Sequence, residues 1–145
     1  MLKEMAKFGE KLVRDGLVKS HFGNISVRID NKMLITKRGA MLDNISKDSV
    51  VEIDLEEPKS FDMVASMEAK VHKAVYQRTS ALAIIHAHPI YAVVESLILS
   101  QDKITPVDCE GLYYLREIPI IEGKRQVQKN LPMMYPVCFG ITRAL

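Results

Sequence analysis

The sequence has no tryptophan, only two cysteines, aromatic residues at 6% and almost no net charge. Each scarcity excludes something. A formal charge of +2, with lysines and arginines dispersed and not interleaved with aromatics, gives nucleic acid no basic face to bind. No run of about 18 apolar residues is available to span a membrane. The stretch Met1 to Arg14 is charged at a helical period and has no signal-peptide core, so the cytoplasm is the expected location. Cys109 and Cys138 lie in different segments and form no CxxC pair, and two buried or partly buried free thiols are expected rather than a disulfide. What is present, 145 residues with 48% hydrophobic and 26% charged, describes a single domain over 1–145 with room for one core.

Periodicity gives the organisation. Leu2, Met5, Phe8, Leu12 and Val13 recur at helical steps, and the helix they predict stops near Asp15-Gly16. Phe22 to Ile29 alternates like a strand, Asp30-Asn31-Lys32 turns, and Met33 to Thr36 reads as the hairpin partner. Met41 to Ile45 is a short helix or turn, Val50 to Asp54 a third strand, and Glu56 to Phe61 a polar loop. Ser66 to Arg78 is the clearest helix, with Ser66 as its cap and Met67, Val71, Ala74 and Val75 as its apolar stripe. Ala81 to Ile85 reads as a buried strand, Pro89 opens a helix over Ile90 to Leu99, and short strands follow at Ile104 to Val107 and Ile118 to Ile121. This order predicts an α/β fold, a three-layer α/β/α sandwich around a mixed, mostly antiparallel sheet.

The chemistry concentrates in His86-Ala87-His88-Pro89, which closes the apolar run. Alternate strand residues share a face, so both imidazoles project together. Neutral ring nitrogens side by side suit a divalent metal such as Zn²⁺, at about 2.0–2.1 Å; the alternative is two solvated histidines at a strand tip. Aldol chemistry would need that metal as a Lewis acid and a general base beside it. Glu68, early in its helix, is the candidate base, or else simply complements the positive helix end. Gly23-Asn24 and Gly39, after Lys37-Arg38, can form anion-binding turns, and Ser66 adds a hydroxyl; ordinary hairpin turns and an N-cap would use the same residues. Glu68 and His72, four residues apart on one helical face, can bind a metal together, but His72 reads first as a packed, hydrogen-bonded histidine. His21, just before the Gly-Asn loop, is near enough to reach the pocket rim but is not counted as a site residue.

Taken together, Gly23-Asn24-Ile25-Ser26, Ile35-Thr36-Lys37-Arg38-Gly39, Ser66-Met67-Glu68 and His86-Ala87-His88-Pro89 resemble the class II aldolase/adducin family, close to its fuculose-1-phosphate aldolase type. The resemblance covers the chain to about Ile121. It implies a zinc site at His86, His88 and Glu68, with Glu68 also moving the proton. It further implies a phosphate pocket from Gly23, Asn24, Arg38, Gly39 and Ser66, and a homotetramer. The implied reaction cleaves a small phosphorylated ketose, such as fuculose 1-phosphate, to dihydroxyacetone phosphate and an aldehyde. The same family includes a pentulose-phosphate epimerase, a sugar-phosphate dehydratase and the catalytically silent adducin branch, an assembly module. In Asp108 to Tyr114, Glu110 and Tyr113 resemble residues that reach a neighbouring subunit's site.

Three departures stand out. The family often has a small hydroxyl residue where Arg38 stands and a second serine where Met67 stands. It draws its third histidine from a later His-Gly segment, whereas here no histidine follows His88. The tail, Asn130 to Leu145, reads as a family C-terminus that is shortened or altered, so that Glu68, or less readily Cys138, is the expected third ligand. Apolar surface left by a missing closing helix is expected to be covered by oligomer contacts.

Overall fold

In the computed structural model, residues 1–57, 63–98 and 103–119 are described. They belong to two compact units, Met1–Ile90 and the part from Tyr91 on.

The first unit holds α1 (Leu2–Arg14), β1 (Asn24–Ile29), β2 (Lys32–Thr36), β3 (Val50–Asp54), α2 (Ala69–Arg78) and β4 (Ala83–His86). The strands form one sheet in the order β3-β2-β1-β4, with every pairing antiparallel. Ile29 pairs with Lys32, so the hairpin turn is Asp30-Asn31, with Asp30 at φ 54. Period-two alternation sends the two faces of the sheet into two cores. Ile25, Val27, Leu34 and Val50 meet Met5, Leu12 and Val13 of α1. Met33, Ile35, Val51 and Ile53 meet Ala69, Val75 and Tyr76 of α2. The result is helix, sheet, helix: the three-layer arrangement the sequence predicts, with only antiparallel pairs among the described strands.

Several expectations are corrected. Phe8 is 45% exposed; the buried stripe of α1 runs through Met5 and Gly9 instead, because a Cβ at Gly9 would overlap the Leu42 carbonyl and no larger residue fits there. α2 begins at Ala69 and not at Ser66: the Ser66 N–H donates to the Thr36 carbonyl beside the Lys37–Ala65 bridge, and Met67-Glu68 form a turn before the helix. Its inner face is Ala69, His72 and Tyr76, while Met67 is exposed. β4 is not a buried strand, for it lies at the end of the strand order with Ala83 and Ile85 exposed.

The second unit contains α3 (Ile90–Ile98, whose first residue closes the first unit), α4 (Cys109–Tyr114) and a two-stranded antiparallel ribbon of β5 (Lys103–Ile104) and β6 (Ile118–Pro119). The strand expected over Ile104 to Val107 stops at Ile104, before Pro106, and α4 was not foreseen; its N-cap Asp108 accepts the Gly111 N–H at 2.7 Å. Cys109 is a free thiol but an exposed one, not buried as expected, because it opens the short, exposed α4. Leu99, Ile120, Ile121, Cys138 and the tail Asn130 to Leu145 lie outside the described residues. Among the described residues, no helix is long and apolar enough to cross a membrane.

Candidate active site

One end of the sheet gathers the start of β1, the end of β2 and the end of β4. Antiparallel register places Asn24 directly opposite His86, on the face that Ser26 and Ile84 also share. Gly23 makes this approach possible. It has φ 78, and a Cβ there would overlap the carbonyl oxygen of His86 and crowd Val18. Gly39, at φ 72, is open around its Cα. His21 joins the two glycine turns, its Nδ1 donating to the Gly39 carbonyl at 3.2 Å.

The third segment is attached by main chain. Arg38 N–H donates to Val64 O at 3.0 Å and Ser66 N–H to Thr36 O at 3.1 Å. The Glu68 and Ala69 N–H groups already donate to the Ser66 hydroxyl and carbonyl, so this turn satisfies itself before α2 begins. Glu68 is half-buried at the N-cap of α2, with its carbonyl accepting from Val71 and His72. Gly23, Asn24, Arg38, Gly39, Ser66 and Glu68 therefore sit on three segments tied to one another, with Arg38 exposed and Asn24 buried.

His86 and His88 are in ring contact, their centroids 4.7 Å apart and the planes tilted by 34°. Burial, and then the neighbouring His88, lower the His86 pKa, which keeps the ring neutral and able to bind metal. The pair brings two imidazoles side by side, a donor type that suits a divalent cation. Among the described residues, no group of three or more His, Cys, Asp or Glu side chains is placed to hold a metal, so Glu68 does not join the pair in this structure.

Beneath the pair lies a network that the sequence showed only in part. The His72 Nδ1 and the Tyr76 hydroxyl each lie 2.7 Å from the Ser26 hydroxyl, and all three side chains are buried. The Ser26 hydroxyl, which has one proton and two lone pairs, can serve both neighbours at once. Burial, reinforced by His86, holds the His72 pKa down at about 3 from 6.5. The unfolded chain therefore takes up a proton below about pH 6.5 that the folded chain refuses until about pH 3. In chelator, stability is expected to fall with acid across that window by up to about 1.4 kcal/mol per pH unit. Urea midpoints at pH 7, 6 and 5 should show that slope, and His72→Gln should make it shallower, leaving the smaller share that His86 contributes; an equal slope in the variant would refute the assignment to His72. Alternation in Asn24-Ile25-Ser26 was the signal that could have placed Ser26 in this network.

The family description "Class II Aldolase and Adducin N-terminal domain" matches residues 3–133. The chain belongs to this family. A class II aldolase fold agrees with the solved structures: L-fuculose-1-phosphate aldolase from Thermus thermophilus superposes with a TM-score of 0.75 and 39% identity, covering 81% of this chain and 58% of that one. Among curated relatives, the 3-oxo-tetronate 4-phosphate decarboxylase of Haemophilus influenzae is 29% identical over 125 residues, 85% of this chain and 58% of that protein. The L-fuculose phosphate aldolase of Escherichia coli is 32% identical over 89 residues, 61% of this chain and 41% of that protein. The chain thus spans less than two thirds of the length of these relatives.

In the second unit, Glu110 and Tyr113 lie on α4, both exposed, with the Tyr113 ring edge-on to Tyr114 at 4.9 Å.

Proposed function

We propose that this chain is a metal-dependent lyase that cleaves a small phosphorylated ketose, of the fuculose 1-phosphate kind, to dihydroxyacetone phosphate and an aldehyde. The observation that supports this best is the contact of two histidines, His86 held neutral, at the sheet end where both glycine turns meet. His86 and His88 would hold a divalent cation, Zn²⁺ by preference, whose chemistry is Lewis-acid polarisation of substrate oxygens. Gly23 and Gly39 expose main chain to the phosphate, Asn24 and Ser66 offer side-chain donors, and Arg38 adds a guanidinium. Glu68, on the segment bonded to the second turn, exchanges the proton at the carbon from which the aldehyde leaves. Glu110 and Tyr113 are proposed as contacts to a neighbouring copy in a homotetramer.

A second reading within the family is decarboxylation of a phosphorylated sugar acid. It draws support from the length of the match to the Haemophilus influenzae decarboxylase and from the exposed Arg38, a cation suited to a second anionic group. Incubation of the zinc-loaded protein with fuculose 1-phosphate is expected to release dihydroxyacetone phosphate, and chelation to stop it. Release of CO₂ from a 3-oxo sugar-acid phosphate, with no ketose cleavage, would establish the second reading instead. Neither product would contradict both.

A further inference from the structure

Asn24 is 4% exposed, and its Oδ1 is the single buried side-chain polar atom without a hydrogen-bond partner among the described residues. A buried carbonyl left in this way is expensive. The other end of the same carboxamide meets the metal-binding pair: Nδ2 donates to His86 Nδ1 at 3.4 Å. An amide nitrogen has no acceptor capacity, so this contact requires Nδ1 to be bare and places the ring proton on Nε2. A histidine in that tautomer has no free Nε2 lone pair for a cation.

Half a turn about the Asn24 Cβ–Cγ bond exchanges the two ends. Oδ1 then accepts from a protonated Nδ1, which satisfies the orphaned carbonyl and leaves Nε2 bare. We infer that Asn24 is a positioning residue for metal capture, its carboxamide turning so that Oδ1 takes the Nδ1–H of His86 and fixes the ligating tautomer. Metal-bound histidines generally donate their other N–H to such an acceptor, and the cation strengthens that bond by acidifying the ring. The strand register supplies the rest: Asn24 and His86 are cross-strand partners, and Gly23 lets the two backbones approach. In the turned setting Nδ2 becomes a free donor, the atom used by the phosphate contact proposed above, so both roles ask for one rotamer.

The inference rests on the metal-dependent reading but is tested without turnover. Long-range ¹H–¹⁵N correlation on the wild-type protein, without metal and with zinc added, reports the His86 tautomer directly. The zinc-loaded form is expected to carry its proton on Nδ1, and this proton should exchange slowly. Zinc titration of Asn24→Leu should show affinity reduced roughly 10- to 100-fold. Asn24→Asp, which keeps an acceptor toward Nδ1, should bind zinc within a few-fold of wild type. Should Asn24→Leu prove unfolded by circular dichroism, the wild-type spectra decide alone. A zinc-loaded His86 protonated on Nε2, or a folded Asn24→Leu with undiminished affinity, would overturn the inference while leaving metal dependence standing. Wild type that takes up no zinc would overturn both. A fixed Nδ1 proton with no aldol or decarboxylase turnover would remove only the proposed reaction.

Discussion

Gly23→Ala is expected to lower the unfolding free energy by about 2–5 kcal/mol, a large part of what a domain of this size possesses. Two costs add. A left-handed backbone, φ 78, costs an alanine about 1–2 kcal/mol. The new Cβ also overlaps the His86 carbonyl oxygen, which is backbone held in the β1–β4 ladder, and overpacking of that kind costs typically about 1–3 kcal/mol. Gly39→Ala separates the terms. It has nearly the same φ, 72, with nothing near the new methyl, so only the conformational cost applies, about 1–2 kcal/mol. Urea unfolding of the two variants beside wild type makes the comparison. Equal losses would mean that Gly23 is needed for its backbone angle alone and that the close approach to His86 does not constrain the site.

Glu68→Gln is expected to reduce turnover by about 10²- to 10⁴-fold, the usual contribution of a positioned acid–base group. The fold should barely register the change. Glu68 is half-buried at the N-cap of α2, where its carbonyl and N–H, which glutamine retains, make the bonds and its side chain makes no cap bond. If the carboxylate served only to complement the positive end of the helix, the variant would lose about 0.3–1 kcal/mol of stability and keep its activity. Zinc affinity measured alongside distinguishes a base from a ligand. A base that is not a resident ligand leaves zinc binding intact while turnover collapses, whereas a base that is also a ligand loses zinc affinity along with turnover.

Much of this architecture was legible in the residues because the relevant signals are short-range. Alternation in Phe22 to Ile29 and Met33 to Thr36, with Asp30-Asn31-Lys32 between them, predicts the hairpin to within two residues, and the period of Leu2, Met5, Phe8, Leu12 and Val13 predicts α1. What failed has a physical reason in each case. Hydrophobic periodicity chose Met67, Val71 and Val75 as the inner face of α2, whereas two of its three buried residues are His72 and Tyr76, whose polar atoms are satisfied by Ser26. A hydrophobicity pattern is blind to burial that depends on a partner about 46 residues away. The Ser66 hydroxyl does accept a main-chain N–H, that of Glu68, but α2 starts only at Ala69, because Ser66 N–H is held by Thr36 O, a long-range bond that local sequence does not encode. The site was legible as separate motifs; their assembly depends on pairing between distant segments, Asn24 with His86 and His21 with Gly39.

The measurement that bears most directly on the central claim is zinc content per chain after dialysis against a mild chelator, for wild type and for a His86→Ala, His88→Ala double variant. A metal-dependent class II aldolase site predicts about one zinc per chain in the wild type and essentially none in the folded double variant. Zinc retained equally by both proteins, or absent from the wild type, would contradict it.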